Sequence, residues 1–153
     1  MIESRVTTNS PEDTMALGRR IGQALRSRVG GAAVCLSGDL GAGKTVFVKG
    51  LAAAFGIPER EVGSASFIVI AEYETTPRFV HVDLYRIEYS SDLDELGLWE
   101  YIGDDAVVVI EWAERLAEQP RNAVQIYLES LSETEREIRI RDEDHWDNQQ
   151  AAS

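Results

Sequence analysis

Gly38-Asp39-Leu40-Gly41-Ala42-Gly43-Lys44-Thr45 matches the pattern G-x-x-x-x-G-K-[ST] at every fixed position. These residue types suit one task, holding a chain of phosphates. Glycines permit a backbone curl in which the N–H groups of Asp39, Leu40, Gly41, Ala42 and Gly43 turn inward to phosphate oxygens. Lys44 has the reach to neutralise the β- and γ-phosphates, and the Thr45 hydroxyl suits Mg2+. A glycine-rich turn with a chance lysine is the bland alternative, and it makes no demand on the flanks. Here the flanks agree with the phosphate reading. Residues 32–37 (AAVCLS) form an apolar run too short for a helix, and TVFVKGLAAAFG after the loop has a helical pattern ending at Gly56.

A phosphate loop needs an acid for its metal. Two apolar runs end in one: FVHVD at Asp83 and AVVVIE at Glu111. Ligands of open α/β sheets sit at the carboxyl ends of the strands, so both carboxylates can face a nucleotide. Glu111 is the stronger metal candidate, because an apolar run precedes it and Trp112 follows. A carboxylate buried there needs a compensating partner such as a cation. Asp83 suits a metal-bound or attacking water. For either acid the bland reading is a solvated strand end. Trp112 is open to two readings, a ring against the nucleotide or an ordinary core tryptophan. Ser64 and Ser66 precede a strand, where a hydroxyl can meet the γ-phosphate, although serines are ordinary in loops. His81 reads as a packed histidine. Glu88, Asp92, Asp94 and Glu95 read as a solvated face, or else as a docking surface for a basic partner.

The elements that position these residues follow from periodicity and punctuation. Residues 1–8 read as a strand or arm. Ser10 caps a helix with Pro11 at its first position, and Leu17, Ile21 and Leu25 recur every four residues until Gly30-Gly31. Residues 67–73 and 79–83 read as strands with Pro77 in the turn between them. One short helix is expected around residues 92–96. Residues 106–110 are the best candidate for a central strand. Residues 123–131 and 137–141 alternate apolar with polar and form an antiparallel hairpin about a turn at 132–134. The expected fold is a single α/β domain of P-loop type spanning residues 1–141. Its central sheet is mixed and mostly parallel, flanked by helices and extended by the C-terminal hairpin. Residues 142–153 are polar and read as a frayed tail.

Composition narrows the partners. The chain has 153 residues, 27 acidic and 15 basic, a net charge of −12. Such a surface argues against a free-standing binder of nucleic acid, which needs Lys and Arg for phosphates. Contact with RNA through a partner protein stays open. Cys35 is the only cysteine, so no intrachain disulfide forms, and two histidines supply a structural zinc site poorly. No apolar run approaches the ~20 residues that span a bilayer, and the first residues lack the apolar core of a signal peptide. A cytoplasmic location is expected. The only lysines are Lys44 and Lys49. The N-K-x-D motif that reads guanine is therefore absent, which disfavours a Ras-like GTPase.

Taken in order, GDLGAGKTVFVKGLAAAFGI, SASFIVIAEY, HVDLYRI, LDELGLWEY and VVVIEWAERL resemble the bacterial TsaE family (formerly YjeE) over roughly residues 7–141. D-L-Y-R together with I-E-W behind a phosphate loop is a specific combination. The resemblance implies a small P-loop ATPase acting with the TsaD–TsaB pair. The family's process is threonylcarbamoylation of the adenosine next to the anticodon in tRNA, with TsaC supplying the activated group. It implies ATP and Mg2+ as cofactors. Lys44 and Thr45 would hold phosphates and metal, Glu111 would be the Walker B-like Mg2+ ligand, and Asp83 would be required for hydrolysis. Trp112 would lie close to the nucleotide. Ser66 falls where the family has the threonine of a switch-like S-P-T-F, and Arg136 falls near a position on the nucleotide side.

Two departures from the family pattern stand out. S-P-T-F is here Ser64-Ala65-Ser66-Phe67, which keeps the hydroxyl and loses the fixed φ of proline. E-W-P is here Glu111-Trp112-Ala113, which alters only how the next helix begins. No arginine finger is evident near the loop, so slow turnover without partners is expected. Two rival readings remain, a nucleotide-gated binding module with incidental hydrolysis and a small-molecule kinase. For the kinase, little chain after Glu111 is left to form a lid.

Overall fold

A computed structural model describes residues 2–39, 41–63, 70–85, 97–103 and 105–142. The expected 92–96 helix, Leu40, Ser66 and the acidic run at 88–95 lie outside these residues, as do 143–153. Seven strands form one sheet: β1 (Ile2–Thr8), β2 (Ala32–Ser37), β3 (Ile70–Tyr73), β4 (Phe79–Asp83), β5 (Val107–Glu111), β6 (Val124–Ser130) and β7 (Arg136–Asp142). Their spatial order is β1-β7-β6-β2-β5-β4-β3. The central strands β6, β2, β5 and β4 run parallel to their neighbours in that group. The edges are antiparallel: β3 on β4, β7 on β6, and β1 on β7. The mixed α/β sheet with a C-terminal hairpin is therefore present.

Helix α1 (Pro11–Arg26) begins as its sequence requires. The Ser10 side chain accepts from the Asp13 N–H, and Glu12 and Asp13 lie in the positive first turn. Thr14, Leu17, Gly18, Gly22 and Leu25 face inward, a helical stripe. The helix stops at Ser27, not at the glycine pair. Gly30 and Gly31 instead turn the chain, at positive φ, into β2. Helix α2 (Lys44–Ala53) packs directly on α1. A Cβ on Gly50 would lie 2.1 Å from the Met15 carbonyl oxygen, so only glycine allows this approach. A four-residue helix, α3 (Leu98–Tyr101), follows the undescribed 86–96 stretch.

Alternation along the strands divides the core. Val34, Leu36, Phe79, Val107, Val109, Ile126 and Leu128 pack with Phe47, Val48 and Leu51 of α2 on one face. Cys35, Val80, Val82, Val108 and Ile110 pack with Leu98 and Leu116 on the other. Phe47 is fully buried, and its loss would cost ~3–5 kcal/mol by cavity formation. Every residue of β5 is buried, as expected of a central strand. Asp142 does not belong to a frayed tail. It ends β7, is buried, and pairs with Arg28 at 3.1 Å.

Candidate nucleotide site

Lys44 is the first residue of α2, and Gly43 precedes it at φ 97°, a conformation glycine adopts freely. Among the described residues no side chain caps this helix end, and its first turn holds no acid. The first N–H groups of a helix have no intrahelical partner and form its positive pole. An anion is what such an end accepts. The buried Lys44 ammonium donates to the carbonyl oxygens of Gly38 and Asp39, the latter at 3.1 Å. Ala42 N–H donates to Asp39 O at 3.0 Å and closes the curl. Gly38 is seated against β6: a Cβ there would lie 2.4 Å from the Leu128 carbonyl oxygen.

Along β4 and β5 the face that carries α2 changes character. Phe79, Val107 and Val109 give way to His81, Asp83 and Glu111 towards the carboxyl ends. Asp83 and Glu111 are register partners in adjacent parallel strands, so both acids point to the same side beside Lys44. Glu111 is 2% exposed, and its Oε2 lies 2.5 Å from His81 Nε2. Asp83 is half-buried and accepts from the Tyr85 N–H at 3.0 Å. Burial raises the Asp83 pKa and the Glu111 charge adds to that, while the Tyr85 N–H, His81 and Lys44 oppose it. Burial lowers the Lys44 pKa, against the pull of Glu114, Glu111, Asp39 and Asp83. Two ionisable groups held against their charged forms in one place mark a site.

Trp112 lies between the core and the glycine loop. Half-buried, its ring rests on the edge of the core and also covers Lys44, with Nζ 3.8 Å from the ring centroid. Its φ of 59° is left-handed, costly for a bulky side chain and typical of constrained functional positions. The Tyr85 ring lies tilted against it with centroids 5.2 Å apart, and the Arg115 guanidinium lies 5.5 Å from the Trp112 ring. Ala113 then opens a short 3-10 turn, Ala113–Arg115.

The family model for "Threonylcarbamoyl adenosine biosynthesis protein TsaE" matches residues 8–138. The chain belongs to the TsaE family. It is 39% identical over 137 residues to the tRNA threonylcarbamoyladenosine biosynthesis protein TsaE of Treponema pallidum, covering 89% of this chain and 98% of that protein. The corresponding protein of Bacillus subtilis is 40% identical over 134 residues, with 86% and 80% covered. The crystal structure of Bacillus subtilis YdiB aligns with a TM-score of 0.73 at 30% identity, covering 99% of this chain and 93% of that one.

Within this TsaE-family fold, Asp39, Gly41, Ala42, Gly43, Lys44 and Thr45 form one loop and helix start, and Asp83, Glu111 and Trp112 surround it. Arg136, the first residue of β7, joins them from the far end of the chain. Its Nη2 donates to Gly41 O at 3.3 Å, and its Nη1 donates to Ser132 O and Glu135 O at 2.7 and 2.9 Å. The hairpin thus brings the Arg136 guanidinium to the loop, where it is engaged by backbone carbonyls. Leu40 and Ser66 lie outside the described residues.

Sequence reasoning missed Glu114, whose Oε2 accepts from the Gly38 N–H at 3.3 Å. No motif or period signals that contact. It also undervalued His81, which alternation alone places on the face of Asp83, two residues away. Cys35 takes no part. Burial pushes its thiol up to about 12, far from the reactive thiolate.

The oxygen donors Thr45 and Glu111 suit a hard cation such as Mg2+. Among the described residues no group of three or more His, Cys, Asp or Glu side chains is placed to cage a metal. No helix among the described residues is long and apolar enough to cross a membrane.

Proposed function

We propose that this protein is a Mg2+-dependent ATPase supporting threonylcarbamoylation of the tRNA adenosine next to the anticodon, together with TsaD and TsaB. The observation that carries the reading is the buried Lys44 inside its glycine loop, with Asp83 and Glu111 in register at the adjoining strand ends. Thr45 and Glu111 would hold the metal, which when bound neutralises charge on the phosphates. The Lys44 ammonium leaves its carbonyl partners for the β- and γ-phosphate oxygens. Inward N–H groups of the loop and the start of α2 hold the remaining charge.

Asp83, its pKa raised by burial, is suited to accept a proton from an attacking water. Arg136 steadies the loop, but its Nη1 and Nη2 donate to backbone carbonyls. A guanidinium so engaged is poorly placed to meet a transition state, which favours slow turnover by the chain alone. Partner proteins, not RNA, are its direct contacts, because a charge of −12 offers little counterion release on tRNA. The reaction belongs in the cytoplasm.

A nucleotide-gated binding module is the second reading. It is favoured by Tyr85, 45% exposed and tilted against Trp112, where nucleotide and a partner's surface can meet. Phosphate release, measured with and without TsaD–TsaB, separates the two. Stimulated hydrolysis abolished by Asp83→Ala supports the ATPase. Nucleotide-dependent capture of TsaD–TsaB with no change in turnover supports the module. Tight, salt-sensitive tRNA binding by this chain alone, without capture of TsaD–TsaB, overturns the partner assignment.

A further inference from the structure

Among the described residues, His81 is the one buried ionisable group at the carboxyl end of the sheet that the ATPase reading leaves without a task. It lies on β4 with Asp83 two residues beyond, and Val109 is its register partner on β5. An aliphatic side chain would continue the packing of Phe79 and Val109 without the cost of burying an imidazole. Instead His81 is 4% exposed, and its Nε2 meets Glu111 Oε2 at 2.5 Å. Both side chains are 3% exposed, so water does not compete for the contact. An ionised carboxylate only accepts, so the imidazole donates through Nε2–H. The contact engages one carboxylate oxygen and fixes a side chain that would otherwise rotate about several bonds.

We propose that His81 is a positioning residue for the divalent cation, holding Glu111 by one oxygen so that the other is presented to the metal. The inference rests on the Mg-ATP reading of the site. Groups that orient metal-ligating side chains are worth roughly 10–100-fold in metal affinity. His81 therefore acts on the metal-dependent part of nucleotide affinity. The metal-independent part belongs to Lys44 and the loop.

Calorimetry of ATP binding in Mg2+ and in excess EDTA tests this. His81→Gln places an amide N–H at about the reach of Nε2, whereas the side chain of His81→Asn is too short. Both are polar, so folding, checked by thermal melting, should suffer similarly in each. The expected result is a Mg2+-dependent gain reduced roughly tenfold or more in His81→Asn and largely restored in His81→Gln, with EDTA affinities alike. In a Glu111→Gln background, His81→Asn should add nothing. An unchanged Mg2+ gain in His81→Asn, or an equal loss in EDTA, overturns the proposal and leaves the ATPase reading standing. A wild-type protein with no Mg2+-dependent gain overturns both.

Discussion

Arg28 and Asp142 form a buried pair at the amino end of the parallel strands, and His81 and Glu111 form another at the carboxyl end. The two look alike by burial: the Arg28 and Asp142 side chains are 8% and 2% exposed, and those of His81 and Glu111 are 3% each. They differ in company. Arg28 Nη2 reaches both Asp142 oxygens, at 3.1 and 3.2 Å, and so fastens the end of β7 to the chain just after α1. The His81–Glu111 contact sits beside Lys44 and Asp83, both held against their charged forms. A buried carboxylate therefore does not by itself identify a site. A carboxylate whose ionisable neighbours are also shifted against their charged forms is the better candidate.

Breaking the structural pair should give the largest effect on stability. Asp142→Ala leaves a guanidinium in a buried position, and a loss of roughly 3 kcal/mol is expected, visible as a Tm lower by about 10 °C. Mg-ATP affinity of the folded protein should not change; a parallel fall in affinity would erase the distinction between the two ends.

At the other end the effect moves from stability to binding. Lys44→Ala should weaken ATP binding roughly 100-fold, the scale of a strong charge-assisted contact, with little change in Tm. Calorimetry with unchanged affinity would remove the phosphate-loop assignment. Separating the two acids sharpens the picture. Glu111→Ala should lose the Mg2+-dependent part of binding, while Asp83→Ala should keep binding and lose hydrolysis. Equal loss of binding in both variants would merge their roles.

The smallest effect concerns Asp83 and pH. Its folded pKa lies above the ordinary 3.8, so the folded state retains a proton that the unfolded state has already released. Stability from this group falls as pH rises from 3.8 through the raised value. Asp83→Asn removes that cost. A gain under about 1 kcal/mol is expected at neutral pH, vanishing under acidic conditions where both states are protonated. Thermal melts of the two proteins across pH check the sign, and a variant less stable at pH 7 would contradict it.

What was legible in the sequence was local. The glycine loop, the strand before it, the helix after it and the acids closing two apolar runs all declare themselves by spacing. The hairpin declares itself by alternation. Contacts between distant segments did not. Nothing near Arg136 points to Gly41, and nothing near Glu114 points to Gly38, because strand order decides those meetings. Asp142 looked like the start of a polar tail because its partner, Arg28, is remote in sequence. Trp112 resisted a single reading because its left-handed backbone lets the ring touch both the core edge and Lys44.

The seating of Gly38 on Leu128 has a consequence for synthesis. The glycine loop precedes both of its supports in the chain: one wall of it is the backbone of β6, and the Arg136 brace on Gly41 comes later still. A nascent chain that has emerged only through β5 carries every residue of the loop and neither of its supports. A loop that holds a nucleotide as proposed would gain its full support only once the β6–β7 hairpin has closed on the sheet.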